Sequence, residues 1–376
     1  MRNQTATPNN IPLRRRLLYV AFIYAIFLLL LLFVEVIARV AFPRVESLEL
    51  FVATPQQQMQ VASPQQSSIF EGDPLLLWRL KPNLDHAIWD FTVVSTNAQH
   101  FRADYPIAAK PAGTFRVVCL GDSVTFGYRV PTVWPDKPKD YDPEWQPFPM
   151  LLEKELRKAN PDRQIEVFPM AVPGYTTHQG LAWLRRDIDY LKPDMVIASF
   201  GWNDVSVSDV PDRQAIDTRW FPVTIRWLID HSQIFARLTR RLRSRDAALA
   251  RAVAPASRVS EAEYIENFNA IVNLARSHQA SVIVIGAPYR DSTTNPPEAQ
   301  LMTRYRAGLK SAMQQGQTPY LEILELTEAA GSVNQGFFGE LIHPNHIGHR
   351  LMASELLKLM AQRHLLGDLN IPDFVP

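Results

Sequence analysis

The chain has 376 residues, a 20% charged fraction and a formal net charge of +1. That length buries one large core with additions, and the near-zero charge argues against nucleic acid as a partner, which would call for a basic excess. The single cysteine, Cys119, excludes an intramolecular disulfide, and its place in an apolar run marks it as a small core residue.

The first predicted element is a membrane span. Leu17 to Val34 carries no charge, and the apolar character continues past Glu35 to Phe42. At 1.5 Å per residue the strict run covers roughly 27 Å, close to the hydrocarbon thickness of a bilayer. Arg14, Arg15 and Arg16 precede it, which keeps residues 1–16 in the cytoplasm and sends the rest across. The exit, Ile37-Ala38-Arg39-Val40-Ala41, puts Arg39 where a signal peptidase wants a small residue, so residues 17–42 read as an uncleaved signal anchor. The expected location is therefore the inner or plasma membrane, single-pass, with the following domain extracytoplasmic (periplasmic).

Residues 43–68, with Gln56-Gln57-Gln58 and Gln65-Gln66, read as a linker. Residues 69–112 read as an accessory lead-in with short strands, among them the β-branched stretch Ala87 to Val94. From residue 113 to 366 strands and helices alternate. Strands are expected at Arg116 to Leu120, Ile165 to Phe168, Met195 to Phe200, Ser281 to Gly286 and Tyr320 to Leu324. Helices are expected at Met150 to Ala159, Gln179 to Leu191, Glu261 to His278, Glu298 to Gln315 and Gly348 to Gln362. The alternation predicts an α/β fold of three layers, a parallel sheet between helices, preceded by the single transmembrane helix.

Two insertions interrupt the rhythm, and residues 367–376 are left as a C-terminal tail. Tyr128 to Pro149 is proline-rich, with Trp134, Tyr141 and Trp145 interleaved. It is either a lid over a groove or an irregular surface loop. Residues 205–258 include Arg237, Arg240, Arg241, Arg243 and Arg245, which form a solvated helix face or a contact surface for a membrane or an anionic glycan.

Four segments fall where such a sheet gathers loops at its carboxyl edge. Gly121-Asp122-Ser123 ends the first core strand, where a following helix start favours developing negative charge. Gly174 follows the second strand and allows close backbone approach. Asn203 follows the third, with a side-chain amide able to donate to an oxyanion. His343 precedes the last helix, with Glu340 three residues earlier as a carboxylate to orient it. Each segment alone also suits a helix cap or turn. His343, His346 and His349 recur every third residue, but Pro344 breaks the common face, so no metal is expected. Phosphate-loop, dinucleotide and zinc-protease motifs are absent, and no cofactor is expected.

The four blocks in this order resemble the SGNH (GDSL-type) hydrolase family over roughly Phe115 to Arg363. Asp73 to Asn83, followed by Asn97 to Arg102, resembles the lead-in of membrane-anchored bacterial members. The resemblance implies a serine esterase with Ser123 as nucleophile, His343 as base and an oxyanion hole formed by Ser123, Gly174 and Asn203. Glu340 departs from it, since the family usually has Asp at that position. The implied substrate is an ester, including an O-acyl group of a carbohydrate. The alternatives are a polysaccharide O-acyltransferase using the same serine and histidine, and a catalytically silent carbohydrate-binding scaffold.

Overall fold

The computed structural model describes residues 12–45, 69–73, 75–132, 142–208, 211–215, 228–229, 231–250, 256–288, 297–323, 336–339, 342–372 and 374. Trp134, Tyr141 and Glu340 lie outside them, as does most of the 43–68 linker.

The apolar N-terminal run forms one helix, Leu13–Val40, long and apolar enough to cross a membrane. It takes in the three arginines and ends two residues short of the expected span. Its carboxyl end is packed: Ala38 and Val45 are buried, and Val45 exchanges hydrogen bonds with the Gln233 side chain. The linker expected from residue 43 thus begins inside the packed structure.

Two small antiparallel hairpins make up much of the lead-in. β1 (Phe70–Asp73) pairs with β2 (Leu77–Leu80), and β3 (Ala87–Trp89) pairs with β4 (Thr92–Val94). Asp90 and Phe91 turn the second hairpin with positive φ at both positions, the backbone twist that a two-residue turn between right-twisted strands requires.

The central sheet contains β5 (Phe115–Gly121), β6 (Ile165–Ala171), β7 (Met195–Ser199), then, beyond the 205–258 insertion, β10 (Ser281–Ile285) and β11 (Tyr320–Leu321). Its order is β11-β10-β7-β5-β6, and every pair is parallel. The insertion is closed at its neck by β8 (Val207–Ser208) pairing antiparallel with β9 (Ala256–Ser257).

The strands are continuously apolar because both faces are covered. Val118, Leu120, Val196 and Val284 face a core shared with the helices Thr177–Leu191, Glu261–Ser277 and Pro297–Gln315. The alternate residues Val117, Cys119, Ile197 and Ile285 face a second core under the helices Phe148–Ala159 and His346–Gln362. Burial of the Cys119 thiol pushes its pKa well up, so it packs as a thiol.

The lead-in joins the first of these cores. Phe70, Leu77, Trp78 and Phe101 are all buried there beside Phe168 and Trp183 of the α/β unit. The expected tail at 367–376 is packed as well: Leu369 is buried, and Asn370 exchanges backbone hydrogen bonds with the Asn160 side chain.

Candidate active site

β5 lies between β6 and β7, so the three segments that leave their carboxyl ends are spatial neighbours, about 4.8 Å apart at the strand ends. These segments carry Ser123, Gly174 and Asn203. Gly121, the last residue of β5, is in register with Ala171 on one side and Ser199 on the other. A Cβ on Gly121 would lie 2.1 Å from Thr125 Oγ1 and 2.8 Å from the Ser199 carbonyl oxygen, so the chain must be bare there for the next turn to fold back.

That turn is a short helix, Ser123–Phe126, with Asp122 as its cap: the Asp122 carboxylate accepts from the Val124 N–H at 2.9 Å. Burial pushes the Asp122 pKa up to about 7. The carboxyl end of the turn is held by Arg102, which donates to the carbonyls of Phe126 and, at 3.0 Å, Gly127. Its other terminal nitrogen donates to Val93 and Val130 carbonyls at 2.9 and 2.8 Å. A lead-in arginine therefore fastens the serine turn to the second hairpin.

His343 reaches this turn from the far end of the chain. Ser123 Oγ and His343 Nε2 are 2.8 Å apart, a hydrogen bond across 220 residues of sequence. The imidazole is presented by a tight backbone loop in which the Gly339 N–H donates to the His343 carbonyl at 3.0 Å and the Asn345 N–H to the Phe337 carbonyl at 2.9 Å. Asn345 then caps the last helix, accepting from the N–H groups of Ile347 and Gly348. The Tyr128 ring packs against the imidazole with centroids 4.4 Å apart, and the Tyr128 hydroxyl donates to Asp90. A hydroxyl bonded to an imidazole nitrogen is the arrangement in which a base takes the proton as the oxygen attacks.

Asn203 sits in the turn Trp202–Val205 after β7, and its amide nitrogen donates to the Tyr175 carbonyl at 3.0 Å. An amide nitrogen carries two protons, so this bond fixes the side chain and leaves one proton for a further acceptor. Gly174 has φ +86°, a left-handed conformation that favours glycine. The Gly174 and Asn203 segments are further joined by buried Asp204, which accepts from the Thr177 N–H at 3.0 Å and from the Thr177 hydroxyl. Burial raises the Asp204 pKa to about 8.

The three histidines that recur near the C-terminus turn to three different partners. His343 faces Ser123, His346 stacks on Trp145 at 4.0 Å, and His349 is buried with Nδ1 accepting from the Phe148 N–H at 3.2 Å. Burial, reinforced by the charge of Arg102, pushes the His349 pKa from 6.5 down to about 3. Between these two values the unfolded chain binds the proton and the folded chain does not, so stability is lost as pH falls from 6.5 toward 3, by about 1 kcal/mol per pH unit from this group. Asp122 and Asp204, with raised values, act in the opposite sense, losing stability as pH rises toward 7 to 8. The difference between the parent and His349→Asn isolates the imidazole. Urea midpoints measured between pH 7 and 4.5 are expected to converge as pH falls, and parallel curves would contradict the buried neutral state.

Sequence reasoning did not find Arg102 or Asp204 as supports of the site, nor the buried pair Arg258 and Asp212, in which the Arg258 guanidinium donates to the Gly174 carbonyl at 2.7 Å and to the Asp212 carboxylate. The signals were faint: Arg102 closes the resembled lead-in and Asp204 follows Asn203, but nothing local marks Asp212 or Arg258 as buried.

A protein-family model described as the GDSL-like Lipase/Acylhydrolase family matches residues 119–351, a span that encloses Ser123, Gly174, Asn203, Glu340 and His343. Solved structures similar in backbone include a lipase/acylhydrolase from Enterococcus faecalis, at 19% identity and TM-score 0.43, covering 69% of this chain and 99% of that chain. They also include an acetylxylan esterase from Geobacillus stearothermophilus, at 16% identity and TM-score 0.43, covering 65% and 94%. A GDSL-like lipase from Bacteroides thetaiotaomicron matches at 14% identity and TM-score 0.39, covering 66% and 88%. No curated protein matches the chain.

Proposed function

The chain belongs to the GDSL-like lipase/acylhydrolase family, and on that premise we propose that it is a membrane-anchored serine esterase working outside the cytoplasm on O-acyl groups of a carbohydrate. The observation that carries the chemistry is the 2.8 Å hydrogen bond between Ser123 Oγ and His343 Nε2. In the proposed reaction Ser123 Oγ attacks the ester carbonyl while His343 Nε2 takes its proton. The carbonyl oxygen becomes an oxyanion, held by the backbone N–H groups of Ser123 and Gly174 and the free amide proton of Asn203. Collapse expels the alcohol, which receives the proton from His343 and leaves an acyl group on Ser123. A water molecule, deprotonated by His343, attacks that ester and releases the acid. Glu340 is the proposed partner that orients the imidazole.

The carbohydrate assignment is supported by half-buried aromatic side chains on or against the segments that carry the site. Tyr128 lies against His343, Trp145 stacks on His346, and Trp202 adjoins Asn203. Flat rings of this kind suit the apolar face of a sugar beside a serine that cleaves its acyl group.

The anchor is supported by the packing of its carboxyl end. Glu35 accepts from the N–H groups of Gln233 and Ile234 and from the Ser232 hydroxyl, at the start of the arginine-rich helix Gln233–Ala250. Arg39 donates to the His231 carbonyl at 2.7 Å, and Arg237 donates to the Pro43 carbonyl. Removing the apolar helix would strip Ser232, Gln233, Ile234 and the His231 carbonyl of their Glu35 and Arg39 partners, which favours an anchor retained in the mature chain. Protease added to intact spheroplasts is expected to degrade the domain after residue 69 and to abolish release of acetate from an added acetylated glycan. Full protection of the domain, with activity only after lysis, would reverse the topology.

A further inference from the structure

Gly174 lies in a loop with a positive φ, and glycine backbones of this kind have wide conformational freedom. An oxyanion donor stabilises a transition state only when it is already aimed, with no reorganisation left to do. The peptide units on both sides of the Gly174 Cα are fastened by side chains from outside the α/β core. On the amino side, buried Trp78 of β2 donates its indole N–H to the Pro173 carbonyl at 3.1 Å. That carbonyl and the Gly174 N–H belong to one planar trans peptide and point in opposite directions, so fixing one aims the other.

On the carboxyl side, buried Arg258, at the end of the insertion, donates from Nη1 to the Gly174 carbonyl at 2.7 Å. Asp212 takes the guanidinium at 3.0 and 2.9 Å and also accepts from the Thr176 hydroxyl at 2.6 Å. The guanidinium stands over the Trp78 ring, 5.7 Å from its centroid, so the two supports also brace each other.

We propose that Trp78 is a positioning residue for the Gly174 N–H, with Arg258 holding the next peptide unit. The proposal rests on the assignment of Gly174 as an oxyanion donor made above. It gives the lead-in and the insertion a shared role: each reaches across the fold, 95 residues forward to the Pro173 carbonyl and 84 residues back to the Gly174 carbonyl, to the two peptide units of one glycine.

The test is Trp78→Phe, which keeps an apolar ring, deletes the N–H donor and leaves a smaller side chain. Loss of a whole oxyanion donor lowers kcat by about 100-fold to 1,000-fold. A donor left in place but unaimed is expected to cost about 10-fold to 100-fold in kcat, with KM within about twofold of the parent. The full chain is assayed in detergent on a chromogenic acetyl ester, per active site counted with a phosphonate. Trp183→Phe is the control for mere packing, since Trp183 donates its indole N–H to Asp187 on its own helix at 2.8 Å and meets the loop through an edge-to-face contact with the Tyr175 ring, 5.8 Å between centroids, and not through a hydrogen bond to its backbone. It is expected to lower Tm without lowering kcat. The proposal fails if Trp78→Phe keeps the parental kcat, or if its kcat falls no further than that of Trp183→Phe. If Trp78→Phe yields no folded protein, Arg258→Lys, which keeps a cation for Asp212 without the fork, takes its place with the same kcat-only loss expected and the same failing result. Ser123→Ala is run beside them: activity surviving there overturns the esterase assignment itself, whereas a dead Ser123→Ala with an unimpaired Trp78→Phe overturns the positioning role alone.

Discussion

Ser123→Ala is expected to abolish ester turnover, lowering kcat by roughly five to six orders of magnitude, while the chain stays folded. The size of the loss follows from the role: without Oγ no acyl-enzyme forms, and His343 has no hydroxyl to deprotonate. The mildness of the structural effect follows from the local geometry. The cap of the Ser123–Phe126 turn is the Asp122 carboxylate, and the far end is held by Arg102, so neither support passes through the serine side chain. The deleted Ser123–His343 hydrogen bond is part-buried and should cost about 1 kcal/mol of stability. The measurement is kcat/KM on an acetyl ester with a thermal melt as control. Parental activity in a folded Ser123→Ala would remove the serine from the mechanism.

Glu340→Gln is expected to lower kcat/KM by about four orders of magnitude, the scale seen when an orienting carboxylate is replaced by its amide. The amide keeps the size of the side chain but donates as well as accepts, and so favours an imidazole tautomer with its proton on the wrong nitrogen. Glu340→Asp is expected to retain far more activity, because it keeps the charge and restores the residue usual in the resembled family. Glu340 lies outside the described residues; the expectation comes from its spacing, three residues before His343. If Glu340→Gln is as active as the parent while Ser123→Ala is dead, the site is a Ser–His dyad or His343 is oriented by another carboxylate.

The sheet was legible because burial on both faces writes itself into sequence as unbroken apolar runs. β5, β7 and β10 fall within one or two residues of the expected strands, and the five helices within two residues of theirs. β6 runs three residues beyond its expected end, through Pro169, and Cys119 of β5 pairs with that proline in the ladder. Ser123, Gly174, Asn203 and His343 could be singled out because each follows a strand or precedes a helix, a local signal. What holds them was not legible. Trp78 reaching Pro173, Arg258 reaching Gly174 and Arg102 reaching the serine turn are pairings over long sequence separations, which no periodicity reports. The arginine-rich insertion illustrates the same limit. Its composition suggests a solvated face or a contact with membrane or glycan; Arg240 and Arg241 are exposed, while Arg237 is held by the Pro43 carbonyl and the Phe42 ring just past the N-terminal apolar helix, a pairing that composition does not report.

The central claim is that Ser123 is the nucleophile, and the most direct measurement is the site of covalent capture by an alkyl fluorophosphonate on the full chain in detergent, mapped by peptide mass. The account predicts one phosphonyl group per chain, on the peptide containing Ser123, with ester hydrolysis lost in proportion to labelling and no adduct in Ser123→Ala. Stoichiometric labelling of another residue, or full ester turnover after Ser123 is completely modified, would contradict it.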